Sequence, residues 1–134
     1  MDRRQLIAIT EIVSERTPRP LLAPVLSFDL PDELNVLRAE QVYQAHGHNA
    51  RTLVKHSEFR LVLIALRTGY RLHEQQIPER LSIQALNGAL RLHIPTETLE
   101  LRSGQLLALD RGLPFSIEAL EDSGFLLWLG WSRE

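Results

Sequence analysis

From residue 50 onward the sequence predicts a small all-β domain. An N-terminal extension precedes this domain. Short apolar runs alternate there with turn residues, the pattern of a sandwich or barrel built from many short strands. Two of the runs, residues 60–66 and 125–129, are apolar on both faces, so we expect both faces of those strands to be covered. One face can fill a barrel, while the other needs either the extension or a partner subunit.

The amino-acid composition excludes several classes of function. The 15 Lys and Arg residues and the 17 Asp and Glu residues are mixed along the chain, so we expect no nucleic-acid partner. The chain has no cysteine, and therefore no thiol nucleophile, disulfide or thiolate metal site. Because no apolar stretch approaches the length of a membrane span and no cleavable leader is recognisable, we expect a cytoplasmic protein of one domain without a membrane partner.

The extension comprises residues 1–49 and precedes a barrel of residues 50–134. It holds four of the seven prolines, namely Pro18, Pro20, Pro24 and Pro31. Residues 6–13 fit a helix and a strand equally well, so both structures remain open for that segment.

One short helix is predicted to start at Pro31 and to end near Ala39. Proline suits the first helical position because its missing N–H has no partner there in any case. Asp32 and Glu33 follow it, and acidic side chains suit the positive end of the helix dipole.

The dipeptide Asn87-Gly88 between two apolar runs predicts a hairpin, because a type I′ turn needs positive φ at both positions. A two-residue loop pairs Leu86 with Ala89, Ala85 with Leu90, Ile83 with Leu92, and Leu81 with Ile94. Side chains alternate between the faces of a strand. The face of this hairpin that is apolar throughout, and therefore inward, consists of Leu81, Ile83, Ala85, Leu90, Leu92 and Ile94. The outward face consists of Ser82, Gln84, Arg91 and His93. Alternation likewise directs inward the side chains of Phe115, Ile117 and Ala119.

Four glycines have the spacing of two known motifs: Gly69 and Gly88 bound the first, and Gly104 and Gly112 belong to the second. On this spacing, residues 50–131 resemble the cupin family of small barrels. Short stretches of sequence also support the resemblance, notably Leu86-Asn87-Gly88, Leu101-Arg102-Ser103-Gly104 and Ile117-Glu118-Ala119-Leu120. The resemblance implies a double-stranded β-helix, or jelly-roll barrel, that binds a metal through histidines and a glutamate.

The metal-ligand positions of both motifs are substituted in this chain. Gln75 and Ile77 replace the two histidines of the first motif, and Leu81 replaces its glutamate. In the second motif Phe115 replaces the histidine, and Asp110 and Ala119 replace a proline and an asparagine. Transition metals require imidazole, carboxylate or thiolate ligands. We therefore expect no metal, no other cofactor and no catalytic residue.

Two interpretations of the barrel interior remain open. The first is a pocket for a small organic molecule, lined by Gln75, Ile77, Leu81, Ile83, Leu92, Phe115, Ile117 and, if its strand is regular, His73. The second is an interior filled by its own side chains, as small barrels often are. Phe115 and Leu81 are bulky enough to fill it.

Other candidate residues favour ordinary structural roles. His46 and His48 have the spacing of metal ligands on a strand, yet they precede the barrel, and a solvated loop pair is the simpler interpretation. Glu74 lies on the opposite face from Gln75 and is expected on the surface. Trp128 and Trp131 fit ordinary packing on a strand covered on both sides, with a subunit contact as the alternative.

Taken together, the sequence favours a metal-free cupin-like protein that binds a small organic molecule without catalysis. One alternative is a metal-dependent dioxygenase or isomerase that uses histidines outside the motifs. Another is a structural or regulatory interaction protein with a filled barrel. The surplus of apolar surface further predicts a homodimer, in which the N-terminal segment takes part, because large exposed apolar patches are rare on monomers.

Overall fold

The computed structural model describes residues 24–56 and 58–130, and within them it contains two short helices followed by nine strands. The helices are α1 (Leu30–Ala39) and α2 (Gln41–His46). The strands are β1 (His48–Lys55), β2 (Phe59–Leu66), β3 (Arg71–Gln75), β4 (Arg80–Asn87), β5 (Ala89–Ile94), β6 (Glu97–Arg102), β7 (Leu106–Leu109), β8 (Phe115–Ala119) and β9 (Ser123–Gly130). The segment at residues 6–13, which fits both a helix and a strand, lies outside the described residues.

The strands form two antiparallel sheets that enclose one apolar interior. The first sheet has five strands in the order β1-β2-β9-β4-β7, and the second has four in the order β3-β8-β5-β6. Both sheets contribute to one core cluster, which includes Val62 and Leu127 from the first and Leu92 and Ile117 from the second. The predicted all-β architecture is confirmed. Within the described residues, no helix has the length and apolarity to cross a membrane.

The antiparallel pairing gives the barrel two distinct ends. All odd-numbered strands stop at one end, and all even-numbered strands begin there. We call this the Gln75 end, because β3 stops there at Gln75. At the opposite end, β1 begins at His48.

The predicted inward faces of β4, β5 and β8 are confirmed. Ile83, Ala85, Leu90 and Leu92 are fully buried in the core cluster, and Leu81 exposes only 5% of its surface. Ile94 is partly buried against the same cluster. On β8 the buried residues alternate with half-buried ones, and the buried set is Phe115, Ile117 and Ala119.

The predicted hairpin at Asn87-Gly88 is wrong in its pairing. Strand β4 pairs with β7 and β9 in the first sheet, whereas β5 pairs with β6 and β8 in the second. The chain therefore crosses from one sheet to the other at Gly88 instead of folding back on itself. Asn87 does not have the positive φ that a type I′ turn needs, because every positive φ among the described residues belongs to a glycine. The assignment of faces survives, since alternation along a strand does not depend on its partner.

The four glycines of the two motifs share a left-handed backbone, with φ between 74° and 88°. At Gly88 space is limiting as well. A Cβ atom there would lie 2.3 Å from Ser123 Oγ and 2.4 Å from the Asp122 carbonyl oxygen. The Ser123 hydroxyl in turn accepts a hydrogen bond from the Ala89 N–H at 3.0 Å. Only glycine lets the chain pass from sheet to sheet this close to β9.

The predicted helix corresponds to α1, and its sequence signals act as expected. The Asp29 carboxylate caps the helix by accepting from the Asp32 N–H at 3.1 Å, and Pro31 occupies the first turn. Glu33 then binds Arg51 of β1 at 2.7 Å, which ties the helix to the first sheet.

Helices α1 and α2 cover part of the outer face of the first sheet. Their buried side chains, Leu34, Leu37 and Tyr43, form a second cluster with Leu63 and Ala65 of β2 and Leu126 of β9. The contact is close, because a Cβ atom on Gly124 of β9 would lie 2.6 Å from two carbons of Leu34. The helical part of the N-terminal segment thus supplies part of the second cover that the doubly apolar strands β2 and β9 require.

Large-to-small substitutions on opposite faces of the two sheets test this core. Ile83→Ala and Leu92→Ala should each cost about 2–5 kcal/mol, because each leaves a cavity in the packed interior. Arg91→Ala should cost less than about 1 kcal/mol, since its ion pairs with Glu100 and Glu118 are half exposed and longer than 3.4 Å. Chemical denaturation of the three variants measures these losses, and equal small losses would contradict the assigned faces.

Candidate functional site at the Gln75 end of the barrel

The substituted metal-ligand positions converge at the Gln75 end. Gln75, Ile77, Leu81 and Phe115 are all buried, and Gln75 lies opposite Phe115 in the pairing of β3 with β8. The two motif loops are joined by hydrogen bonds, because Gly112 donates its N–H to the Ile77 carbonyl at 2.8 Å. The fold therefore assembles the site of the two motifs although its ligands are missing.

These residues do not fit a metal ion. The Gln75 amide is a weak ligand, and its nitrogen donates to the His73 carbonyl within its own strand. The side chains of Ile77, Leu81 and Phe115 offer no donor atom to a metal. Across residues 24–56 and 58–130, no three His, Cys, Asp or Glu side chains are grouped to hold a metal.

The apolar residues predicted to line a pocket instead pack against each other. Each of them exposes 5% of its surface or less and belongs to the core cluster: Ile77, Leu81, Ile83, Leu92, Phe115 and Ile117. Below Gln75 the barrel is thus filled by its own side chains.

His73 does not join the site. Its prediction as a pocket residue assumed a regular strand, on which His73 and Gln75 share a face. The pairing of β3 with β8 shifts register between Leu72 and Gln75. As a result Leu72 and Gln75 are both buried, while His73 and Glu74 are exposed. The expectation that Glu74 is a surface carboxylate agrees with this placement.

Two cationic residues that the sequence analysis missed lie at this end. Arg60 has the inward parity of Val62 and Ile64 on β2, and it lies opposite Lys55 of β1. Both side chains are buried, exposing 8% of their surfaces. The signal was present in the sequence, since Arg60 begins an otherwise apolar run. It was indistinguishable from an ordinary strand-terminal arginine until the pairing showed the position of Lys55.

The electrostatics at this end combine burial with charge. Burial raises the pKa of the Glu79 carboxyl, and the positive charge of Arg60 opposes that rise. Glu79 lies in the loop between β3 and β4, at the same end of the barrel as Arg60. Gln75, Lys55 and Arg60 are buried at this end of the barrel and Glu79 is half-buried there, and we refer to these four residues as the polar layer.

His46 and His48 lie at the opposite end and are not a solvated loop pair. His46 ends α2, Gly47 caps the helix in a left-handed conformation, and His48 starts β1. His48 is buried, and its ring centroid lies 4.9 Å from that of Tyr70 and 6.1 Å from that of His46. Because α2 and Gly47 fold the chain onto the barrel, the spacing of these residues does not reflect a strand, and they lie far from Gln75.

Trp128 is not packed on both sides, as the sequence favoured. It lies on the outer face of β9 beyond the reach of α1 and exposes 42% of its surface. It borders a shallow depression of about 460 Å³, lined by Arg80, Leu81, Ser82, Ala108, Leu109, Asp110, Trp128 and Gly130. Trp131 lies outside the described residues.

Comparison with solved structures agrees with the architecture. No protein-family model matches the chain, and no curated protein matches it in sequence. A conserved protein of unknown function from Streptococcus pyogenes, SPY1581, is similar over 89% of this chain and 98% of its own, with 21% identity and a TM-score of 0.69. An RmlC-like cupin from Shewanella frigidimarina is similar over 66% of this chain and 79% of its own, with 12% identity and a TM-score of 0.60.

The similarity extends to an enzyme. Salicylate 1,2-dioxygenase from Pseudaminobacter salicylatoxidans is similar over 84% of this chain, with 17% identity and a TM-score of 0.72. The match covers only 37% of that longer protein. The chain therefore has the jelly-roll fold of the cupins, a fold that is found both in enzymes and in proteins of unknown function.

Elemental analysis tests the loss of the metal site. Protein purified without chelator and then dialysed should contain far less than one transition metal per chain, because the four motif positions offer one weak amide ligand. Stoichiometric zinc, iron, manganese or nickel would contradict this expectation. Alanine substitutions at His46, His48 and His73 would then locate the alternative ligands.

A second prediction concerns the buried His48. Burial lowers its pKa below the ordinary value, the positive charge of His46 lowers it further, and a hydrogen bond to the His46 backbone partly opposes both. The unfolded chain therefore binds this proton more readily, so the neutral form stabilises the fold above the ordinary pKa of about 6.5, and that stability is lost as the pH falls. The free energy of unfolding should fall more between about pH 7.5 and pH 5.5 in the wild type than in His48→Gln. Identical pH profiles from urea denaturation would rule this out.

Proposed function

We propose that this chain is a metal-free cupin-type binding protein that takes a small organic molecule at the Gln75 end of its barrel and does not catalyse a reaction. The observation that carries the proposal is the polar layer. Gln75, Lys55 and Arg60 are buried on inward faces at the barrel end where the two motifs converge. A few polar groups over an apolar floor are typical of small-molecule sites.

The chemistry of the site favours binding over metal-dependent catalysis. A dioxygenase or isomerase of the cupin type would need ligands that replace the missing histidines and glutamate. Of the histidines outside the motifs, His46 and His48 lie at the opposite end of the barrel, and His73 is exposed on the other face of β3. None of the three faces the interior beside Gln75, which weakens the enzyme alternative.

A ligand screen followed by a matched pair of variants tests this proposal. Thermal shift with a mixed-charge library of small acids, amides, amines and sugars should identify stabilising compounds, since binding to the folded state raises its stability. Isothermal titration then compares Gln75→Leu with Gln84→Leu, which removes an amide from the outer face of β4. The first variant should weaken binding about 3- to 10-fold, the effect of losing one hydrogen bond, and the second should not. A screen without any binding compound would overturn the proposal.

For the outer face of the first sheet we propose a second copy of this chain as the partner. The support is a difference in polarity between the outer faces of the two sheets. The outer face of the second sheet has a ladder of ion pairs, in which Arg91 lies between Glu100 and Glu118. The first sheet instead exposes apolar side chains beyond the helices, namely Trp128 and Leu106. Exposed aromatic residues are enriched in protein interfaces.

Light scattering of the full chain tests this dimer. Trp128→Arg should convert it to a monomer, because a buried unpaired charge in the contact is costly. The matched control is Glu97→Arg, an exposed substitution on the edge strand β6 that should leave the dimer intact. Removal of residues 1–27 tests separately whether the N-terminal segment contributes. A monomeric wild type at micromolar concentration would contradict the dimer.

A further inference from the structure

We propose that the contact between two copies of this chain is reciprocal, with the Trp128 ring of each copy inserted into the depression beside Trp128 on the other. This contact rests on the proposed dimer, which it describes at the level of individual side chains. The depression has a volume of about 460 Å³ and borders Trp128 on the outer face of the first sheet, and we call it the Trp128 depression.

The large apolar side chains that the described strands expose all lie on the outer face of the first sheet. They are Phe59 of β2, Leu106 of β7 and Trp128 of β9, which expose 36%, 62% and 42% of their surfaces. Trp128 faces outward because its neighbours Leu127 and Leu129 belong to the core cluster. Within the described residues, the first sheet is therefore the one whose outer face offers apolar surface to a partner.

The pairing of the strands explains why a depression lies beside the exposed ring. Ser82 of β4 is directly opposite Trp128 on one side and Ala108 of β7 on the other. Gly130 follows two residues after Trp128 and also lines the depression. A large ring therefore stands next to three of the smallest side chains, so a projection and a depression lie side by side on one face.

A surface of this shape is complementary to a second copy of itself. In a two-fold symmetric contact both subunits use the same patch, so that a residue of one copy meets its contact residue on the other copy twice. A two-fold rotation about an axis beside Trp128 places each ring over Ser82 and Ala108 of the other copy. The depression, at about 460 Å³, is larger than one indole ring. The two rings then lie next to each other, and aromatic pairs of this kind are favourable.

The charges at the rim of the Trp128 depression are also compatible with a second copy. Arg80 and Asp110 form an ion pair at 3.0 Å, and their side chains expose 62% and 74% of their surfaces. A patch with net charge would repel its own copy across a two-fold axis, because like charges would meet there. This rim has no net charge, and Arg80 of one copy can face Asp110 of the other. The charges of the rim therefore favour a contact between identical copies.

Two complementary substitutions in the full-length protein test this contact. Ala108→Trp fills the depression, and Trp128→Ala removes the ring that enters it. Both positions are exposed, so neither change alters the core. Each variant by itself should raise the dimer dissociation constant at least about tenfold, because interface tryptophans contribute strongly to binding. Light scattering over a dilution series measures the dissociation constant.

A mixture of the two variants should form a dimer although neither variant does so well alone. In the mixed dimer the Ala108→Trp copy fills its own depression, and the Trp128→Ala copy inserts no ring there. The depression of the Trp128→Ala copy receives Trp128 of the other copy. Each depression then holds one indole ring, as in the wild-type dimer. Native mass spectrometry, which separates the two chains by mass, should show the mixed dimer in excess over both homodimers.

Two further variants serve as controls. Thr98→Trp adds the same ring to the outer face of the second sheet, where Thr98 is exposed opposite His93, and should leave the dimer intact. Ser82→Trp fills the same depression from β4 and should weaken the dimer as Ala108→Trp does. Circular dichroism checks that each variant is folded, and Ser82→Trp replaces Ala108→Trp in the mixture if the latter is not.

The outcomes separate this contact from the proposed dimer. A dimeric wild type that neither Ala108→Trp nor Ser82→Trp weakens would overturn the reciprocal contact and leave the dimer in place. Weakened variants that form no mixed dimer would overturn it as well, because the two substitutions would then not complement each other. A monomeric wild type would overturn both proposals. If Trp128→Ala then also lowered the free energy of unfolding, the depression would be assigned to the N-terminal segment of the same chain.

Discussion

Close packing between the inward faces of two antiparallel sheets is the constraint on which the rest of the molecule depends. The core cluster draws its members from both sheets, so neither sheet can bury its apolar face alone. For this reason the segments that cross between the two sheets must pack closely against the strands beside them. The crossing at Gly88 shows how tight the geometry is, because even a methyl group there would overlap Ser123 and Asp122.

The same packing changes the meaning of the substituted motif. In a metal-binding barrel, ligands at these positions would keep the interior polar. In this chain Ile77, Leu81 and Phe115 extend the apolar core up to the level of the site. Metal ligands and core side chains would occupy the same positions, and in this chain most of those positions hold core side chains. The polar residues that remain, Gln75, Lys55 and Arg60, lie at the end of the barrel.

Helices α1 and α2 account for part of the remaining apolar surface. Leu34 and Leu37 cover the outer side of β2 and β9, and the Arg51–Glu33 ion pair and the Asn49 hydrogen bond to the Leu37 carbonyl hold α1 in place. The cover ends before Trp128, so one part of the sheet stays apolar and exposed. A barrel of this size has more apolar strand surface than its interior and two short helices can bury, and this surplus is the physical basis for expecting a partner at that face.

The sequence by itself determined which side chains of β4, β5 and β8 face inward, where α1 begins and ends, and that the motif positions lack metal ligands. These properties are local, because alternation, capping and side-chain chemistry do not depend on distant partners. Only the tertiary structure decided which strands pair. Asn87-Gly88 has the local signal of a hairpin, yet β4 finds better partners in β7 and β9. It also decided that a register shift in β3 removes His73 from the site, and that Lys55 and Arg60 meet across β1 and β2. Pairing and register are set by the packing of the whole barrel, which no short stretch of sequence contains.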